Sequence, residues 1–373
     1  MKRINTIDAM RGIGILGITP IHSLLIFTNS FRTSPENMMW NPLLAAPYFF
    51  FFISGMCLSL SVVRRRKLQN LREIFMHGLI RYGGYIFISI AMSVSLTMLF
   101  TYLISGKIDL STIYQDISNW GEPIRGIGLA CLFSLIPVYY LSTRKLLLSS
   151  IGIFIFSSVI LHLIPSSFSY GVLTPIAFSG LYSLLKTVPA VLFGAMFGNM
   201  IAKNYYDKND NPHHGVLIPE RKVFLAGLSV ILMVELAFLI LTIRNSWNTI
   251  GINVAEFITV GDSKTGMLFL KLGGPYYVTA AFSLGGFMLL LGMSEMLRRM
   301  GFHFRYITFV GRTGIQIFIV HFLLLILEIW LFGAVIPANA MLALIMFNSI
   351  LMYLFSYVYV EANVSGRIRR LVG

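Results

Sequence analysis

Residues 43–63 read LLAAPYFFFFISGMCLSLSVV, without a single charged side chain, and the basic run Arg64-Arg65-Arg66-Lys67 follows directly. A helix needs about 20 mostly apolar residues to cross the hydrocarbon core of a bilayer. Basic residues at the end of such a run mark the cytoplasmic side of the membrane. This stretch therefore predicts a transmembrane helix and gives its direction.

The composition of the whole chain agrees with that segment. Of 373 residues, 56% are hydrophobic and only 12% are charged, and the mean hydropathy is +0.78. Soluble domains carry roughly 25% charged residues, because their surface must be solvated by water. The sequence therefore predicts an all-α, polytopic bundle in the cell membrane and excludes an ordinary soluble domain.

The same template predicts about ten transmembrane helices: residues 7–28, 43–63, 74–104, 126–141, 146–163, 187–202, 223–243, 275–297, 307–332 and 336–360. The apolar but Ser-, Gly- and Pro-rich segment 165–185 is interpreted as an interfacial or re-entrant loop. The longest connection, 244–274, leaves no room for an extramembrane domain, so 1–373 is predicted to be one domain. Asp8 and Arg11 interrupt the first apolar run, which favours a retained helix over a signal peptide.

Basic residues alternate across these ten segments. The chain has 29 Lys and Arg against 15 Asp and Glu, for a net charge of +14. Nineteen of the 29 fall on the side that also holds both termini, and seven, including Arg125, fall in connections on the other side. Arg11, Arg81 and Arg312 lie within helices. The positive-inside rule then predicts cytoplasmic termini and explains the charge without nucleic acid as a partner.

Ionisable residues inside the predicted helices are the candidates for function. A charge at the bilayer centre costs about 2.5–3.5 kcal/mol on insertion scales, so such side chains usually face a cavity and act there. The set comprises Arg11, His22, His77, Arg81, Glu235, Arg312, His321 and Glu328.

Arg11 and His22 have the most informative spacing. Eleven residues return a helix to nearly the same face, and they separate the two side chains by about 16 Å along the axis. Arg11 would lie near the cytoplasmic surface, where a fixed cation suits an anionic ligand, and His22 deeper, where an imidazole suits proton transfer. Alternatively, Arg11 extends to the headgroups and His22 bonds a neighbouring helix.

The later residues are less informative. His321 and Glu328 are seven residues apart and share a face, whereas Arg312 lies about half a turn away from His321 if the segment is one helix. An alternative for Glu328 is a position near the outer interface. His77 and Arg81 are expected to extend to the headgroups.

Two glycine motifs and two cysteines are assigned no chemistry. Gly12–Gly17 matches G-x-G-x-x-G but lies inside a membrane segment, where small residues permit close helix packing. Gly194 and Gly198 form a G-x-x-x-G packing motif. Cys57 and Cys131 lie within predicted helices and indicate neither a disulfide framework nor a metal site. No metal cofactor is expected.

Three segments together resemble the transmembrane acyltransferase superfamily, which includes the heparan-α-glucosaminide N-acetyltransferase-like family and the type 3 acyltransferases. They are Asn5–Gly12 with the apolar run to His22, Pro47–Met56 running into Arg64–Arg66, and Val310–Gly314 through His321. The spacing of Arg11 and His22 matches the R-x10-H signature of the type 3 branch. The last segment is most similar to the heparan-type branch.

This resemblance implies a membrane acyltransferase that uses cytoplasmic acyl-CoA, expected to be acetyl-CoA, as donor. The acceptor would be an amine or hydroxyl of a saccharide or envelope glycoconjugate. His22 would be the general base, or an acyl carrier, and His321 a second catalytic residue. Four arginines would contact the acyl-CoA: Arg11, Arg312, Arg64 and Arg65. The loop 29–42 contains no histidine, so the catalytic assignment follows the type 3 pattern.

Two other classes remain open from sequence. A transporter or flippase of a small polar or lipid-linked solute would use the buried charges along a permeation path. A non-catalytic scaffold would use Arg11 and His22 only to hold the bundle together. A homo-oligomer is also compatible with the sequence.

Overall fold

The computed structural model describes residues 4–27, 46–107, 123–163, 184–206, 218–248, 274–302, 305–332 and 338–362. These ranges form eleven α-helices and contain no strand. In chain order they are α1 (Asn5–Phe27), α2 (Ala46–Arg65), α3 (Leu71–Ser105), α4 (Pro123–Tyr140), α5 (Thr143–Leu163), α6 (Leu184–Tyr206), α7 (Glu220–Asn248), α8 (Gly274–Arg299), α9 (Arg305–Arg312), α10 (Gly314–Phe332) and α11 (Ala338–Glu361).

The predicted all-α class is confirmed over the described ranges, and every predicted segment overlaps a helix. Among the helices of the described ranges, six are long and apolar enough to cross a membrane: α2, α3, α4, α6, α8 and α11. The number becomes seven if α9 and α10 count as one bent span. Ten crossings and cytoplasmic termini stay predictions. Most of the predicted loop 165–185, and all of 29–42, lie outside the described residues.

Both ends of α3 follow from its sequence. Asn70 caps the start, because its side-chain oxygen accepts a hydrogen bond from the Glu73 backbone N–H at 2.9 Å. Gly106 ends the helix with a left-handed φ of 68°, a conformation that glycine adopts without steric cost. The 35 residues of α3 measure about 52 Å, longer than the hydrocarbon core.

The predicted continuous helix over 307–332 is wrong, because α9 and α10 meet at a bend of 89°. Thr313 lies at the break, where its hydroxyl is 2.9 Å from the Ser356 hydroxyl on α11. Gly311 and Gly314 flank this threonine, and glycine is a poor helix former. Arg312 and His321 therefore lie on different helices, and the predicted half-turn between their faces does not apply.

The chain divides into two compact units. Unit 1 comprises residues 1–49, 219–262 and 281–373, and unit 2 comprises 50–218 and 263–280. The prediction of one domain over the whole chain stays a prediction.

Glycines bring helix backbones together within unit 2. A Cβ atom on Gly194 would fall onto the carbonyl oxygen of Phe52, and one on Gly198 onto that of Met56. Gly55 meets Val191 in the same way. These contacts pack α2 against α6 and confirm that Gly194 and Gly198 act as a packing motif.

Unit 1 contains an equally close contact between α1 and α9. A Cβ on Gly311 would fall onto the carbonyl oxygen of Asp8, and one on Gly12 onto that of Ile307. The two helices are therefore antiparallel, with their backbones touching at two points. The packing interpretation of Gly12 is confirmed. Gly17, in the same motif, has nothing within 4 Å of a built Cβ.

Two ion pairs lie at the start of α7 and the end of α8 in unit 1. Glu220, the first residue of α7, pairs with Arg299, the last residue of α8. Glu295 pairs with Arg298 at 2.7 Å. A hydrogen bond from its own backbone N–H, and then the Arg299 guanidinium, hold the pKa of Glu220 below its ordinary value.

This pKa predicts how stability depends on pH. A carboxyl whose pKa is lowered in the folded protein stabilises it above the unfolded-state pKa, about 4.3 for Glu, and that contribution is lost as pH falls further. The wild type should therefore lose more stability than Glu220→Gln between pH 5 and pH 3, by about 1 kcal/mol or less. Thermal melts of both proteins across this range test the prediction, and parallel curves would contradict it.

Candidate functional site

Three charged side chains meet where α1 packs against α9. Asp8 Oδ1 accepts a hydrogen bond from Arg11 Nη1 at 3.1 Å, and Asp8 Oδ2 lies 3.8 Å from Arg312 Nε. The Arg312 guanidinium also lies over the Phe309 ring, 5.7 Å from its centroid. We call Asp8, Arg11 and Arg312 the Asp8 cluster.

The local sequence explains this geometry. Asp8 and Arg11 are three residues apart on α1 and so are neighbours on one helix face. Arg312 is the last residue of α9, next to Gly311, whose missing side chain lets the two backbones touch. Asp8 also lies in the first turn of α1, where a carboxylate is favoured by the helix dipole.

The cluster has an excess of positive charge on its accessible side. Two guanidinium groups share one carboxylate, which leaves a formal charge of +1. Each arginine side chain is 30% exposed, whereas the Asp8 side chain is 6% exposed. Arginine forms planar, paired hydrogen bonds with phosphate and carboxylate groups. The arrangement therefore suits an anionic ligand that approaches the two arginines.

The structure thus brings together two predicted site residues, Arg11 and Arg312, which are 301 positions apart. From the sequence, Asp8 is only an interruption of an apolar run, and its position between the two arginines is not predicted. The i, i+3 spacing of Asp8 and Arg11 was the available signal. Nothing in the sequence indicated that Arg312 shares the carboxylate.

His22 lies on α1, so the prediction that one helix carries both Arg11 and His22 is confirmed. Its side chain, like that of Glu235, lies outside the described part of the structure. Along the axis, His22 is about 16 Å from Arg11. Whether the two share a face stays a prediction.

His321 and Glu328 are buried in unit 1, on α10. Their relative exposures are 1% and 5%, as expected of two residues that face away from lipid and water. Asn348 on α11 is also fully buried. The sequence does not predict a buried role for Asn348, because an uncharged asparagine is not one of the ionisable residues that mark a candidate site.

Arg64 and Arg65 end α2 and belong to unit 2. Arg64 is exposed. Arg65 is half-buried, donates a hydrogen bond to Gln69 at 3.0 Å and contacts His77 Nε2 at 2.9 Å. His77, which was expected to extend to the headgroups, therefore contacts Arg65. Arg81 lies over the Tyr82 ring, 5.6 Å from its centroid.

The prediction that Arg125 lies in a connection between helices is wrong. This arginine is the third residue of α4 and is fully buried, with its Nε donating to Ser89 Oγ at 3.3 Å. Pro123 opens this helix, as proline often does in a first turn. The predicted segment started at residue 126, three residues after the helix begins, because the search for apolar runs excluded the charged Arg125.

No group of three or more His, Cys, Asp or Glu in the described ranges is placed to hold a metal ion. Comparisons of the chain with protein-family models, with curated proteins and with solved structures found no match. The fold itself defines a class: an all-α, multi-pass protein whose described part has six helices able to span a membrane.

Proposed function

We propose that this protein is a multi-pass membrane acyltransferase, of the kind found in the transmembrane acyltransferase superfamily. It would move an acyl group, expected to be acetyl, from cytoplasmic acyl-CoA to an amine or hydroxyl of a saccharide or envelope glycoconjugate. One observation carries the proposal: Arg11 and Arg312, both implied by the resemblance to contact acyl-CoA, lie together on Asp8.

The Asp8 cluster has the chemistry that the donor requires. Coenzyme A carries several phosphate oxygens, and guanidinium groups bind such oxygens through charge-assisted hydrogen bonds. Asp8 fixes the two arginines before the ligand arrives, which lowers the ordering cost of binding. The contacts of Arg64 and Arg65 with acyl-CoA, which the resemblance implies, stay predictions.

His22 is proposed to act on the acceptor. Its neutral imidazole takes the proton of the acceptor O–H or N–H while the acceptor atom attacks the thioester carbonyl carbon. The carbon–sulfur bond then breaks, and the coenzyme A thiolate receives that proton from the imidazolium. The products are an ester or amide and free coenzyme A, and His22 returns to its neutral form. His321 is proposed to line the cavity in which His22 acts on the acceptor.

Removing the proposed base should separate chemistry from binding. A positioned general base contributes about 10²–10⁴-fold to rate. His22→Ala should therefore lose turnover of acetyl-CoA by that factor while coenzyme A still raises the Tm. Arg11→Gln should lose the Tm shift as well. Arg221→Gln, at an exposed arginine of α7, should retain both.

The readouts are release of free coenzyme A by the purified protein with candidate saccharide acceptors, and thermal melting with and without coenzyme A. A wild type that neither turns over acetyl-CoA nor is stabilised by coenzyme A would overturn the acyltransferase proposal. Equal losses in Arg11→Gln and Arg221→Gln would overturn the role of the Asp8 cluster.

A transporter or flippase is a second candidate, favoured by α10 and its surroundings. The bend between α9 and α10 and the buried, ionisable Glu328 are features typical of transport paths in membrane proteins. Solute flux into proteoliposomes in the absence of coenzyme A, abolished by Glu328→Gln, would favour this class.

A further inference from the structure

The described part of unit 2 has a strongly one-sided charge. Its ranges 50–107, 123–163 and 184–206 contain twelve Lys and Arg but one acidic residue, Glu73. Eight of the twelve lie at the ends of helices, and seven of these eight are exposed. We call these eight residues the basic face: Arg64, Arg65, Arg66, Lys67, Arg72, Arg144, Lys145 and Lys203.

Contacts between helices place these residues at one end of the unit. Arg66, in the turn between α2 and α3, donates a hydrogen bond to the Tyr139 carbonyl oxygen at 2.8 Å, close to the turn between α4 and α5. On α2, Ser59 donates to Asn199 at 2.6 Å, one helical turn before Lys203 on α6. Four helix ends and their cations therefore gather on one surface.

Some of these arginines are held in place. The Arg66 guanidinium lies over the Tyr139 ring, 5.0 Å from the centroid, in addition to its hydrogen bond. Arg65 is held between Gln69 and His77. A fixed guanidinium loses less conformational entropy when it binds an oxyanion than a mobile one does.

Two exposed apolar side chains accompany the charges. Leu68, between Lys67 and Gln69 in the α2–α3 turn, is 82% exposed. Tyr140, at the end of α4, is 65% exposed. A leucine among cations, and a tyrosine at a helix end, suit the boundary between headgroups and acyl chains. A purely aqueous surface would leave Leu68 in water without a partner.

We propose that the basic face binds the headgroups of anionic phospholipids, with Leu68 inserted between the lipids. Clusters of four to eight basic residues beside a membrane helix are typical of such binding. The positive-inside rule accounts for the side of the membrane on which cations lie. It does not account for guanidinium groups held in place around an exposed leucine. The proposal goes beyond the acyltransferase function and does not depend on it.

Thermal melting of the full-length protein in detergent tests this site. Short-chain phosphatidylglycerol should raise the Tm, and phosphatidylcholine with the same acyl chains should not. A triple variant, Lys67→Gln with Arg144→Gln and Lys145→Gln, removes three exposed charges and leaves Arg64 and Arg65 intact. Since each basic residue near an anionic surface adds roughly fivefold in affinity, the half-maximal phosphatidylglycerol concentration should rise on the order of 100-fold.

The matched control conserves charge: Lys67→Arg with Arg144→Lys and Lys145→Arg should keep the wild-type response within about threefold. If the neutral triple variant folds poorly, Lys145→Gln alone should still show roughly a fivefold shift. Equal responses to the two lipids, or to the neutral and charge-conserving variants, would overturn the proposal. So would loss of the phosphatidylglycerol response when inorganic phosphate is added, since the site would then be a general phosphate site.

Discussion

Gly311→Ala is expected to destabilise the protein by about 3 kcal/mol, because it inserts a methyl group where two backbones touch. The new Cβ would fall onto the carbonyl oxygen of Asp8. A flexible side chain could rotate away, but a backbone carbonyl within a helix cannot move without shifting the helix. The helices α1 and α9 would have to separate, and Arg312 would move away from Asp8.

Two further variants make this prediction specific. Gly12→Ala places a methyl group on the Ile307 carbonyl oxygen, from the other side of the same contact, and should cost a similar amount. Gly17→Ala lies on the same helix but points into open space. Alanine is the better helix former by about 1 kcal/mol, so Gly17→Ala should be neutral or stabilising.

Thermal melting and the yield of monodisperse protein in detergent measure these effects. A drop of several degrees in Tm for Gly311→Ala and Gly12→Ala, with none for Gly17→Ala, is the expected result. Similar melting of all three variants would contradict the close approach of α1 and α9.

The sequence predicted the positions of the helices well, for a physical reason. A chain in lipid must satisfy its backbone hydrogen bonds within each segment, so an apolar run of sufficient length becomes a helix almost regardless of its neighbours. The run that precedes Arg64 indeed forms α2, and the long third run forms the 35-residue α3. Hydropathy alone was enough for these elements.

The break at Thr313 and the start of α4 could not be predicted in this way. Hydropathy passes over this break, since Arg312 and two glycines interrupt an otherwise apolar run. The distant contacts of Gly311 with Asp8 and of Thr313 with Ser356 have no signal in the local sequence. Arg125 was excluded from α4 because charge was used to mark helix ends. A buried arginine that bonds Ser89 requires tertiary partners that a local pattern does not contain.

The candidate site was predicted in part, for a similar reason. Arg11 and Arg312 were found because a charge in an apolar segment is costly and so conspicuous. Their common partner, Asp8, could not be identified, since its pairing with Arg312 across 304 positions depends on how α1 and α9 pack. Asp8 is therefore the residue whose role rests most on the structure.

Asp8→Asn is expected to cost about 2–3 kcal/mol, because it removes the charge that two neighbouring guanidinium groups share. Breaking a buried ion pair costs about 3–5 kcal/mol, and the 30% exposure of each arginine side chain reduces that figure. Asparagine keeps the size and one oxygen of the side chain. The loss therefore reports charge and not packing.

A second substitution should restore part of that loss. In the Asp8→Asn background, Arg312→Gln removes one of the two facing cations and should recover about 1–2 kcal/mol, although the same change destabilises the wild type. Arg221→Gln, at an exposed position on α7, should give no recovery in either background. Thermal melts of the wild type, the single variants and the double variant form a double-mutant cycle. If the cost of Arg312→Gln is the same with and without the Asp8 carboxylate, the two side chains are not coupled, and the anion site that we assign to this cluster loses its physical basis.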